Sequence, residues 1–248
     1  MIIDAHAHLA GSAISGLVVE AEVLLRTMER CGVDAAVVQP FPKPIKPVEQ
    51  VHDAIAELAA RHPGRVFGLA SIDPHWPADR YRKEAERCVR ELGFVALKLH
   101  PLGHLASIQA PASDIIFETA SELGVPVMIH TGFGVPFTLP ALAIPRARQY
   151  PDMKIILAHA GESLYASEAL VAAGECSNIY LETSWSQPGG IRTFITKLGA
   201  HRVMMGSDLP DNLGPELAKY QSVELSEQQR RQALFSTAVE VFGLPLEG

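Results

Sequence analysis

Short runs rich in Val, Ile and Leu, each ended by Gly, Pro or polar residues, recur along the chain, and eight of them read as strands. They cover 2–9, 34–40, 66–73, 94–101, 125–132, 153–161, 179–184 and 202–210, starting roughly every 29 residues. Between them lie stretches with helical spacing at 21–31, 48–61, 78–92, 113–123, 139–150, 163–173 and 190–198. A last helix starts at Ser226, a side chain suited to capping, and runs to Phe242 with Gly243 beyond it. Gly just past a helix, followed by an apolar strand, recurs at Gly32, Gly93 and Gly124.

Alternation of strand and helix at this step predicts parallel strands, and strands that are apolar throughout predict a sheet covered on both faces. Eight such units predict an α/β fold, a (β/α)8 TIM barrel, as a single domain over residues 1–248. The competing doubly wound sheet has fewer strands and often a Gly-rich first turn, which is missing here. The Pro-rich stretch 41–47 falls where the loop after the second strand belongs.

Composition narrows the function. The 248 residues are 48% hydrophobic and carry a formal net charge of −7. Basic residues are scattered without a stripe, so no nucleic acid is expected as a partner. No apolar run approaches a membrane span and no secretory leader is visible, so no membrane partner and a cytoplasmic location are expected. Cys31, Cys88 and Cys176 are far apart and odd in number, which reads as reduced thiols.

The ten histidines change the picture. In such a barrel the active site lies at the C-terminal ends of the strands. There stand Asp4, His6 and His8 (first strand), Lys98 and His100 (fourth), His130 (fifth), His159 (sixth) and Asp208 (eighth). Side chains two apart on a strand share a face, so His6 and His8 project together with Asp4 beneath them, and Ala5 and Ala7 face the helices. Adding His130 and Asp208 gives three neutral nitrogens and a carboxylate, a set that suits Zn²⁺ with room for a water whose pKa the ion lowers. His159 and Asp208 are then the catalytic proton carriers. Lys98, His100 and Trp185 are the candidate substrate-binding residues. Gln39, His75, Trp76, His104, Phe133 and Ser184 are further rim positions, whereas His52, His62 and His201 read as structural or surface residues.

The segments DAHAH, KLHP, IHTG, AHAG and GSD, spread over essentially the whole chain, resemble the amidohydrolase superfamily. KLHP and GSDLP are most similar to its amidohydrolase 2 branch of metal-dependent TIM-barrel enzymes, which includes aminocarboxymuconate-semialdehyde decarboxylase-like enzymes and lactone hydrolases. The resemblance implies that His6, His8, His130 and Asp208 hold one divalent ion and that His159 acts on the water. In dinuclear superfamily members a lysine matching Lys98 is carboxylated and bridges a second ion; KLHP favours the single-metal branch and a substrate-binding Lys98. The expected activity is hydrolysis of an ester, lactone or amide in a small molecule. Its alternative is nonoxidative decarboxylation of an unsaturated or aromatic acid, and short loops tilt the choice to hydrolysis. A homodimer is compatible with the resemblance.

Overall fold

The structure, a computed structural model, describes residues 1–247. Eight parallel strands form the barrel wall: β1 (Ile3–Gly11), β3 (Ala35–Pro40), β4 (Val66–Gly68), β5 (Leu97–Leu99), β6 (Val127–His130), β7 (Ile155–Ala158), β8 (Ile179–Glu182) and β9 (Val203–Met204). The wall closes through two parallel bridges, Ala70 with Leu97 and Ala7 with Asp208. The TIM-barrel expectation is met. A short β2 (Val18–Val19) pairs antiparallel with the end of β1 and was not foreseen.

Helices α1 (Ala21–Cys31) and α2 (Val48–Arg61) match the apolar spacing, and α1 ends where Gly32 takes a left-handed φ of 68°. Next come α3 (Ala78–Glu86), continued by a π turn, α4 (Asp114–Leu123), α5 (Ile144–Gln149), α6 (Ala166–Glu175) and α7 (Pro188–Leu198). Helix α8 (Pro210–Ser222) was missed, because Gly214 and Pro215 read as breakers. The chain closes with α9 (Glu227–Arg231), a π turn and α10 (Thr237–Phe242). Ser226 caps α9 as expected: its Oγ accepts from Gln229 N, and Gln229 Oε1 accepts from Ser226 N. Among the described residues no helix is long and apolar enough to cross a membrane.

Two apolar layers follow from strand alternation. Val38, Leu99, Ile129 and Leu157 face outward against the helices. Ile3, Ala5, Val37, Leu69, Met128, Ile156 and Met204 fill the barrel, and Phe235, Ala238 and Phe242 of the C-terminal helices pack beneath them. Lys154, just before β7, donates to the Glu240 carbonyl, which places those helices at the N-terminal mouth.

Strand β1 departs from simple alternation. Its pairing with β3 slips by one residue between Asp4 and Ala7. That bulge corrects the expected faces: Ala5 joins the inner cluster, and Asp4 is not beneath the histidines. Asp4 pairs instead across to β1's other neighbour, accepting from Ser207 N (2.8 Å) and Ser207 Oγ (2.5 Å).

Candidate metal centre

At the C-terminal rim, His6 and His8 from β1 and Asp208 beyond β9 converge. His6 Nε2 lies 3.3 Å from His8 Nε2, and Asp208 Oδ1 lies 3.5 Å and 3.3 Å from these two nitrogens. Hydrogen bonding shows which of these atoms carry protons. Lys98 Nζ donates to His6 Nε2, and the Gln39 amide lies against His8 Nε2, each at 3.3 Å. His6 Nε2 therefore carries no proton, while His8 Nε2 hydrogen-bonds to Asp208 Oδ1. His8 Nδ1 is buried without a partner, and the ring stacks on Phe41 at 4.4 Å.

The surroundings keep these groups in those states. Burial, then the Lys98 ammonium, holds the His6 imidazole well below its usual range, so it is neutral. Burial likewise lowers His159 and His100, takes His130 down to about 4 and brings the Lys98 amine down to about 8. Burial alone would raise the Asp208 carboxyl. The His8 hydrogen bond and the imidazoles around it outweigh that and hold it well below the ordinary carboxylate value. Its other oxygen accepts from Trp185 Nε1 at 2.9 Å.

The structure brings most of the expected site together but not all of it. His6, His8, Lys98, His100, His130, His159 and Asp208 all line one cavity of about 210 Å³. His130 is not among the converging atoms: its Nε2 donates to the Phe133 carbonyl at 2.8 Å and its ring stacks on His100 at 4.0 Å. Trp185 stands outside that cavity, in the wider opening it shares with Phe133, His159 and Asp208. His104 points away from the cavity, bonded to Ser71 Oγ and to the His100 amide.

Sequence reasoning missed Glu182. It closes β8, is fully buried, and accepts from His6 Nδ1 at 2.7 Å. Burial raises its carboxyl to about 7. An acid inside an otherwise apolar strand was the available signal. Backbone strain marks the same rim: His159, Trp185 and Asp208 hold left-handed φ values of 66°, 63° and 67°.

Known proteins share this frame. Gamma-resorcylate decarboxylase from Polaromonas sp. (strain JS666 / ATCC BAA-500) is 25% identical over 251 aligned residues, covering 79% of this chain and 76% of the relative. A crystal structure of 2,6-dihydroxybenzoate decarboxylase complexed with 2,6-dihydroxybenzoate superposes with a TM-score of 0.78 at 18% identity, covering 98% of each chain. Dihydroxybenzoic acid decarboxylase from Polaromonas sp. JS666, with bound manganese and the inhibitor 2-nitroresorcinol, superposes at 0.77 with 19% identity, covering 99% of this chain and 98% of that one.

These relatives correct the expectation of a hydrolase, since those named here are decarboxylases. Short loops were a poor guide, because the barrel shared with a decarboxylase spans 98% of both chains. The amidohydrolase family pattern (Amidohydro_2) matches residues 3–244, and the chain belongs to that family.

Proposed function

We propose that the chain is a metal-dependent, nonoxidative decarboxylase of a hydroxylated aromatic acid, with the described residues forming one catalytic barrel. The observation that carries the reading is the convergence of two imidazole nitrogens and a carboxylate oxygen beneath a cavity of about 210 Å³. The donor set passes a test of fit. A point about 2 Å from all three atoms exists, the distance at which imidazole and carboxylate hold a divalent ion. His6, His8 and Asp208 would hold the ion, with His130 on the adjoining wall. Bound there, a divalent ion supplies positive charge for the oxygens of the acid. Manganese in the JS666 relative makes Mn²⁺ the first ion to test, ahead of the Zn²⁺ expected from the donors.

The chain's own residues supply the rest. Ile14, Phe41, Pro42, Leu102 and Phe133 line the cavity, accept one substituted ring and exclude water from it. Lys98 Nζ, buried inside the rim, meets the carboxylate as a cation. A proton taken up from solvent through the wider opening, which His159 and Asp208 both line, is passed by this pair to the ring carbon that bears the carboxylate. The carbon–carbon bond then breaks, its electron pair restores the ring, and carbon dioxide leaves. One proton is consumed and no oxidant is needed.

The test is to incubate Mn²⁺-loaded protein with 2,6-dihydroxybenzoate and 5-carboxyvanillate and to follow carbon dioxide and the decarboxylated phenol. Release of both from either acid supports the reading. Absence of carbon dioxide from a panel of hydroxybenzoic acids overturns it.

A further inference from the structure

Glu182 lines neither the cavity nor its opening, yet it touches two of the histidines that the proposed chemistry uses, His6 and His159. Its Oε2 accepts from His6 Nδ1 (2.7 Å), from the His159 amide (3.1 Å) and from Ser184 Oγ (2.9 Å), and its Oε1 accepts from the Ser184 amide (2.5 Å). Proton accounting fixes the directions. Ser184 has one hydroxyl proton, and Glu182 takes it. Its oxygen must then accept from His159 Nδ1, 2.7 Å away. On the other side of His6, the Lys98 amine donates to Nε2, so the ring proton sits on Nδ1, facing Glu182.

We infer that Glu182 is a positioning residue that sets the tautomer of two histidines at once, directly for His6 and through Ser184 for His159, leaving Nε2 of both rings unprotonated. This deepens the reading above and rests on it for the role of those nitrogens. The fold reserves space for the arrangement. A Cβ at Gly206 would lie 2.6 Å from Glu182 Oε1 and 2.8 Å from His6 Cβ, so only glycine lets β9 pass behind the pair. His8 has no such partner on Nδ1, which makes Glu182 the carboxylate on which the donor set depends.

The test uses Glu182→Gln and Ser184→Ala with two readouts besides turnover. Imidazole nitrogen NMR of metal-free protein, with signals assigned by His6→Gln and His159→Gln, should show Nδ1–H for both rings in the unsubstituted chain. Glu182→Gln should shift His6 toward Nε2–H and weaken Mn²⁺ binding, titrated by electron paramagnetic resonance, by about 10- to 100-fold. Ser184→Ala should release His159 alone and leave Mn²⁺ affinity unchanged. Unaltered tautomers or unaltered Mn²⁺ affinity in Glu182→Gln would overturn the inference. Should Glu182→Gln not fold, an unaltered His159 in Ser184→Ala overturns it. If the unsubstituted chain takes up no Mn²⁺, the decarboxylase reading fails, while the metal-free spectra still decide the role of Glu182.

Discussion

Asp208 is held from two sides. Oδ1 faces the two histidine nitrogens, and Oδ2 takes the indole proton of Trp185. Asp208→Asn replaces the anion by a neutral amide, and both Mn²⁺ affinity and turnover should fall together by about 10²-fold or more. Turnover retained in a metal-replete variant would remove Asp208 from the site. Trp185→Phe keeps the ring and deletes only the N–H. The indole is 43% exposed, so solvent weakens the bond. We expect a loss of about 1 kcal/mol, roughly fivefold in kcat/KM, with metal content unchanged. Trp185 was legible in the sequence as a rim residue, but its bond to Asp208 was not, because that contact spans 23 residues and needs both backbones in the left-handed region.

Elements show where a linear reading succeeds and where it stops. Strand order, parallel pairing and the rim of histidines were legible because alternation and strand ends depend on local sequence. The face of Asp4 was not, because the β1 bulge depends on β3 and on the Ser207 contact, neither of which is local to Asp4. Helix α8 hid behind Gly214 and Pro215, which tertiary packing of Leu213, Leu217 and Tyr220 overrides. Glu182 hid because two of its partners, His6 and His159, lie on other segments. By contrast, the Ser226 cap is local, and its energetic worth can be stated in advance. Ser226→Ala removes the side-chain half of the capping box and keeps the backbone N–H donated to Gln229; it should cost about 1 kcal/mol, seen as a lower urea midpoint with an unchanged m-value and unchanged turnover.

For the molecule as a whole, acid should act in two steps. Burial holds the His104 imidazole down at about 4, against an ordinary 6.5. A depressed histidine favours the folded state above its unfolded value. The contribution is complete above about pH 6.5 and is lost as pH falls through 4, amounting to on the order of 3 kcal/mol. Glu84, hydrogen-bonded to His52 and ion-paired to Arg87, is held at about 2, so its contribution survives the first step and fades between about pH 4.5 and 2. Thermal unfolding of metal-free protein from pH 8 to 4 should show a falling Tm, and His104→Gln should flatten that slope. An unchanged slope would mean that other groups govern it. The filled barrel and the C-terminal helices beneath it bear on traffic. With Met128, Ile156 and Met204 packed across the interior and Phe235 and Phe242 below, the described residues fill the barrel under the cavity, which opens at the C-terminal rim. Under the proposed chemistry, an acid of one ring enters and two products must leave by the same opening. The small gas can slip past a ring still seated against Phe41 and Phe133, whereas the ring cannot leave past an incoming acid. Release is therefore ordered, gas first and phenol last, and the phenol should inhibit competitively against the acid while carbon dioxide should not.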